Sequence, residues 1–556
     1  MRLRPLVLAL SVLGAAAPLL GQAKVTINVG GAAGQPFSTA WAYFGYDEPN
    51  YTYAANGRKL LAELSCLSPV PVSIRMHNLL TSGNGEGALK WGSTNVYTED
   101  ASGHAIYDWT ILDRIFDTLL AAKARPLVEI GFMPEALSTH PQPYRHDWPN
   151  GPLWTGWAYP PRDYQKWEEL VYRWVRHALE RYGEDEVRTW NWEVWNEPDI
   201  AYWQGTWEEY YRLYDHAVRA VKRACPEARV GGPDSTGPAD AKAANFLRQF
   251  LEHCARGTNF ATGTRGAPLD FIIFHAKGNP SLVNGQVRMG IRRHLESVAE
   301  GFRIVSTFPE FKGLPIILGE SDPEGCAACS ARRYPQNAYR NGPLYACYTA
   351  EVLARAQELA ARYGVNLAGV VTWAFEFEGQ PYFEGFRSLA TNGIDKPVLN
   401  VFRMFGKMDG RQLPVVVDAA LPLDSILRSG VVGAPDVEAL STLGKDKLSV
   451  LVWNYQDDEI PAPAASVELI LQNLPAGARH LRVHQYRIDQ KDSNAFSAWR
   501  EMGSPQHPDP TQYGRLERAG DLQEIPAPPP RQAQNEEWRM TLDLPRHAVS
   551  LLEIAW

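Results

Sequence analysis

From about Phe37 onward the chain alternates short apolar runs with longer segments whose apolar residues recur every three or four positions. The runs at 40–46, 72–76, 126–130, 189–195, 229–232, 271–275, 315–319 and 369–373 are rich in β-branched and aromatic residues and read as buried strands. Between them, 109–123, 164–182, 206–224 and 345–363 carry helical spacing. Eight strands alternating with helices predict an α/β fold, a (β/α)8 barrel. After about Phe405 the pattern changes to proline-separated strands at 448–455, 466–471, 481–488 and 548–554, which predict an accessory C-terminal β-sandwich. The alternating run at 24–36 is expected to join that sandwich. The expected division is therefore 1–23, a leader; 24–36, the joining strand; 37–404, the barrel; and 405–556, the sandwich. Residues 505–530, polar and rich in proline, predict a long exposed loop.

A length of 556 residues suits two domains. The net charge of -8 offers no basic surface for a polyanion, so nucleic acid is not an expected partner. The 18 tryptophans and 24 tyrosines supply flat apolar faces of the kind that stack on sugar rings or fill cores. The first 23 residues carry two arginines, an apolar run and small residues near Gly21 and Ala23, the pattern of a secretory signal. A secreted or periplasmic protein with no membrane association after signal removal is expected. Six cysteines allow 15 complete pairings, among which sequence does not choose. Cys326 and Cys329 stand in a CxxC spacing without a second half-site for zinc, and a local structural role is expected of them.

The chemistry concentrates at strand ends. In Trp190-Asn191-Trp192-Glu193-Val194-Trp195-Asn196-Glu197-Pro198 an aromatic strand is stopped by proline just after Glu197, so Asn196 and Glu197 should project from the working end of a barrel, above indoles that exclude water. Pro315-Ile316-Ile317-Leu318-Gly319-Glu320 is an apolar strand that also ends in a carboxylate, three strands later. Two such glutamates can flank an anomeric carbon, one protonating the leaving oxygen while the other attacks, about 5 to 5.5 Å apart. Glu197 is expected to start protonated and Glu320 to be ionised. The long stretches 83–107 and 134–161 are expected to serve the site, with Tyr144, Trp148, Trp154 and Trp157 as possible cleft walls.

Several stretches resemble glycoside hydrolase family 39, within the retaining barrel group called clan A. They are residues 107–137, WNWEVWNEPD, 270–278, 316–325 and 370–408, with LSVLVWNYQDD similar to that family's sandwich. The resemblance implies that Glu197 is the acid/base and Glu320 the nucleophile. It further implies that Asn196 binds the 2-hydroxyl, that His77 and His275 are sugar-hydroxyl ligands, and that Trp373 is the platform under the first sugar. Glu376 or Glu384 is implied to grip distal hydroxyls. The stretch around Glu376, Glu378 and Glu384 is longer than in the family's xylosidases, and the segment after Glu320 is an elaboration, GCAACSARRYPQNAYRNG. The implied activity is retaining hydrolysis of an oligosaccharide or glycoside, foremost as an exo-acting β-xylosidase. A β-glucosidase, an arabinosidase or a non-catalytic carbohydrate-binding barrel is the alternative. No cofactor and no metal are called for, and the oligomeric state is left open.

Overall fold

The computed structural model describes residues 22–556 apart from 32–33, 147–152, 446, 476–477, 479, 528–532 and 535. Residues 1–21 of the expected leader 1–23, and Trp148, therefore lie outside the described residues. Eight parallel strands close into a barrel: β1 (Tyr43–Tyr46), β2 (Ser73–Met76), β3 (Arg125–Ile130), β4 (Asn191–Val194), β5 (Arg229–Ser235), β6 (Phe271–Lys277), β7 (Pro315–Asp322) and β8 (Asn366–Thr372). Each lies beside the next in sequence, and β8 returns to β1 through Val371 opposite Tyr43. All eight overlap the runs read from the pattern.

The crossover helices bury one face each against the strands. In Trp207–Ala224, Thr206 and Glu209 cap each other's backbone N–H groups at the start, and Tyr210, Leu213, Tyr214, Ala217, Val218 and Val221 all face inward. That spacing is the period of a helix with an apolar stripe. The reciprocal cap fixes the first turn, and burying side chains of this size contributes about 1.5–3 kcal/mol each.

The C-terminal part is a sandwich of two sheets. Four strands run in the order Val415–Val417, Ala23–Asn28, Ala465–Gln472 and Trp538–Leu544. Six more run in the order Arg411–Leu413, Asp436–Leu443, Leu448–Tyr455, Val549–Ala555, Arg482–Ile488 and Gln523–Ile525. The N-terminal strand pairs parallel with Ala465–Gln472, Val25 lying opposite Leu469. Val25, Ile27, Val450, Leu469, Trp538 and Leu552 help fill the space between the sheets. Among the described residues, no helix is long and apolar enough to cross a membrane.

The expected loop at 505–530 is instead partly helical. Pro510–Gly520 forms a helix and Gln523–Ile525 a strand. The prolines that suggested a loop sit outside the helix or at its first position, where a missing N–H costs nothing, and Asp509 and Gln512 form a capping box. With Ala495–Glu501 this helix reaches back to the barrel rim. Leu516, Ala495, Phe496 and Trp499 pack on Phe383 and Ile394 of the segment after β8.

Candidate active site

The catalytic end of the barrel is organised by a guanidinium. Arg75 on β2 is fully buried and donates to Glu129 on β3 (3.0 Å), Glu193 on β4, Asp234 on β5, Asn196 (3.1 Å) and Glu320 (3.4 Å). Strand register explains the convergence: Glu129 lies directly opposite Glu193, and Arg75 lies opposite Leu127, two residues before Glu129, so these side chains belong to neighbouring levels of the interior. Burial holds the Glu129 and Glu193 carboxyls above their usual range, while Arg75 remains a cation. Glu129, Glu193 and Asp234 place their oxygens within 4.8 Å of one another, a grouping that could ligate a metal, but the guanidinium already serves as their cation.

Glu320 ends the apolar part of β7. One oxygen faces Arg75 and His77 (both 3.4 Å), and the other accepts from Lys277 Nζ at 2.6 Å. Burial alone would raise its pKa, but Lys277, His275 and His77 outweigh it and hold the carboxyl well below its ordinary value. The adjoining Gly319 is required by crowding, since a Cβ there would stand 2.3 Å from an Asp234 oxygen. Glu197 follows the β4 strand by three residues, in a left-handed turn with Trp195 also at positive φ. Trp195, two residues earlier, is buried edge-on to Phe132 and Trp203. The hydrogen bond to its carboxyl comes from His275: Nδ1 lies 2.9 Å from Glu197, while Nε2 lies 3.0 Å from Asp234 and 3.9 Å from Glu320. Burial would lower the His275 pKa, yet Asp234 and Glu320 push it up to about 10. This imidazole is thus a cation between the two glutamates.

His77 is held the same way. Its Nδ1 meets Asp47 at 2.9 Å and its Nε2 faces Glu320, and its pKa is pushed up to about 10 by Glu129, Asp47 and Glu320 against burial. Both histidines, implied as sugar ligands, are engaged by carboxylates here. Asn196 accepts from Arg75 and leaves its buried Nδ2 without a hydrogen-bond partner. Trp373, directly after β8, is buried between His77 (4.4 Å between rings) and Arg75 (4.8 Å), and donates its indole N–H to Asp47. Its ring lies where a Cβ on Gly45 would collide at 2.3 Å, which is why β1 carries glycine there.

The structure thus gathers Glu197, Glu320, Asn196, His77, His275 and Trp373. Glu376 and Glu384 have partners of their own. Glu376 is buried and accepts from the Gly393 N–H at 2.7 Å, with its pKa pushed up to about 8 by burial and by Glu378. Glu384 pairs with Arg332 at 3.1 Å. Among the described residues, no hydrogen bond or ion pair joins either glutamate to the Arg75 cluster. Of the expected walls, Tyr144 packs on Tyr202 near Glu197, Trp157 is buried in its own loop with its N–H on the Pro141 carbonyl, and Trp154 is exposed beside Arg145.

Sequence reasoning missed Arg75, Glu129, Glu193, Asp234, Lys277 and the rim pair Asp47 and Lys90, whose ammonium is 3.1 Å from Asp47. The signal was present. Each of the strand charges interrupts an otherwise apolar run, and a charge inside a barrel strand needs a buried partner. Cys326 and Cys329 form a disulfide, whereas Cys66, Cys225, Cys254 and Cys347 are free.

A (β/α)8 barrel whose fourth and seventh strands each deliver a glutamate to one basic cluster at the C-terminal end has the layout of a glycoside hydrolase. More particularly, the chain belongs to Glycosyl hydrolases family 39, whose sequence model matches residues 75–536. A β-xylosidase of Geobacillus stearothermophilus is 27% identical over 494 residues, 86% of either chain. The α-L-iduronidase of Mus musculus is 30% identical over 390 residues, 66% of this chain and 58% of that one. The crystal structure of the GH39 enzyme from Xanthomonas axonopodis pv. citri superposes with a TM-score of 0.73 at 23% identity, covering 96% of this chain and 98% of that one, a likeness of fold.

Proposed function

We propose that Glu197 and Glu320 carry out a retaining double displacement on a β-xyloside. The observation that carries the reading is the pairing of two strand-end glutamates around one imidazole, His275 lying 2.9 Å from Glu197 and 3.9 Å from Glu320. The Glu320 carboxylate attacks the anomeric carbon as the bond to the leaving oxygen breaks, and that oxygen takes the proton of Glu197. Water then gives its proton to Glu197, its oxygen takes the anomeric carbon, and Glu320 departs as carboxylate. The unpartnered Asn196 amide suits a donor to the neighbouring sugar hydroxyl.

A uronide is a second reading. Lys277 contacts Glu320 and could instead meet a sugar carboxylate, and α-L-iduronidases are among the relatives. The neutral xyloside is favoured because Lys277 already serves Glu320 and Asp322, at 2.6 and 2.7 Å. Nitrophenyl xylosides, glucosides and arabinosides in both anomers, assayed beside an iduronide, test the choice. Turnover of the β-xyloside above all others supports the first reading, and preference for the iduronide replaces it with the second. Export is proposed with it from the arginine-led apolar start, and N-terminal sequencing of the mature protein checks it: a start near Ala23 agrees and an intact Met1 does not.

A further inference from the structure

A cleft of about 480 Å³ opens between the loops that follow β4, β6 and β7, and Glu197 lines it whereas Glu320 does not. Its size falls within the roughly 300–1,000 Å³ of small-ligand sites. One wall is the elaborated segment after Glu320. It presents the Cys326–Cys329 disulfide, Tyr334 and Gln336, facing Ile200 and Tyr202 after β4 and Asn279 after β6. Apolar faces alternating with side-chain amides suit a neutral pyranose, whose ring faces are apolar and whose edges carry hydroxyls. The cleft has no uncompensated charge on this wall: Glu324, which also lines it, is buried but is held down to about 2 by Arg340 and Arg387, each 2.7 Å away.

The wall is built to keep its shape. The disulfide ties it across three residues. Arg340, fully buried, donates to the carbonyls of Cys326 (2.7 Å), Ala327 (3.3 Å) and Cys329, and to that of Gly385 from the segment after β8. Asn337 adds a bond to the Cys329 carbonyl at 3.0 Å. A buried guanidinium that collects four carbonyls fixes a loop that has little regular structure, and a wall fixed before binding avoids the ordering cost on binding.

We propose that this disulfide-tied segment forms the subsite for a neutral sugar residue of the leaving group, so that the enzyme selects di- and oligosaccharides through Tyr334, Gln336 and the Cys326–Cys329 turn. The proposal rests on the assignment of Glu197 as the acid, because the leaving group must lie on its side of the bond. The test compares kcat/KM for a disaccharide with that for the glycosyl fluoride of the same glycone, which places only fluoride in the cleft. It is run on the parent protein, Tyr334→Ala, Gln336→Ala and the double variant Cys326→Ser/Cys329→Ser. The expected result is that the disaccharide-to-fluoride ratio falls at least tenfold in Tyr334→Ala and in the double variant, and several-fold in Gln336→Ala. Ratios within twofold of the parent in all three would overturn the subsite. Equal loss on both substrates would overturn it too, by showing a general structural effect. A parent protein inactive on every glycosyl fluoride would instead contradict the glycosidase reading beneath it.

Discussion

Lys277 gives the sharpest electrostatic test of the site. Its ammonium, 2.6 Å from Glu320 and 2.7 Å from Asp322, is the foremost of the charges that keep a buried carboxylate ionised. Lys277→Met removes that charge while keeping much of the side chain's bulk. At an effective dielectric of about 20, a unit pair about 4 Å apart is worth about 4 kcal/mol. Asp322 shares the ammonium and water replaces part of it in the variant, so about half of this, about 2 kcal/mol, is assigned to Glu320. At about 1.4 kcal/mol per pH unit that is about 1.5 units. The sign follows from the direction of the shift. The folded-state pKa of Glu320 is depressed, so its ionised form is retained as pH falls below 4.5 in the parent. Without Lys277 the carboxyl takes up its proton at higher pH. The acid limb of kcat/KM, which reports the free enzyme, should therefore move up by about 1.5 units, and Lys277→Arg should restore most of it. An acid limb displaced by less than about 0.3 units in a folded Lys277→Met would refute the assignment of Lys277 as the main counter-charge of Glu320.

Arg75→Met strips Glu129, Glu193, Asp234 and Glu320 of their shared cation, and unfolding in denaturant should show a loss of about 3–5 kcal/mol. His294 is buried between Tyr348 and Ser321, and burial and then Lys277 hold its pKa down to about 3. A depressed histidine contributes stability that is present above about pH 6.5 and lost as pH falls toward 3, about 2–3 kcal/mol by pH 4.5. Thermal melts of His294→Gln should accordingly be flatter between pH 6.5 and 4.5 than those of the parent. Leu516→Ala opens a cavity between the helix Pro510–Gly520 and Phe383, costing about 2–3 kcal/mol, and hydrogen exchange should quicken in residues 376–386 ahead of the barrel strands.

Much of this was legible in the sequence, because a parallel barrel writes its strands as short apolar runs at regular intervals. Glu197 and Glu320 stood out since each terminates such a run, at a place where the fold puts chemistry. Arg75, Glu129 and Glu193 were harder to see. Within VSIRM, PLVEI and WNWEV a charge reads as an interruption until the closed barrel shows that one guanidinium satisfies several carboxylates. The helix Pro510–Gly520 was hidden by flanking prolines, although Asp509 and Gln512 at capping-box spacing mark its start. Glu376 and Glu384 were named through the family resemblance alone, and their partners could not be read from the sequence. The segment after β8 packs on Gly393 and Arg332, partly under helices from the sandwich, a long-range packing that local pattern does not encode.

The central claim is that Glu320 forms the covalent bond to sugar. Incubation with the 2-deoxy-2-fluoro glycoside of the preferred sugar, followed by peptide mass mapping, tests it most directly. The account predicts one added glycosyl unit on the peptide containing Glu320, with inactivation slowed by a competing ligand and absent in Glu320→Gln. A label on Glu197 or elsewhere would contradict it, as would hydrolysis that inverts the anomeric configuration without any label.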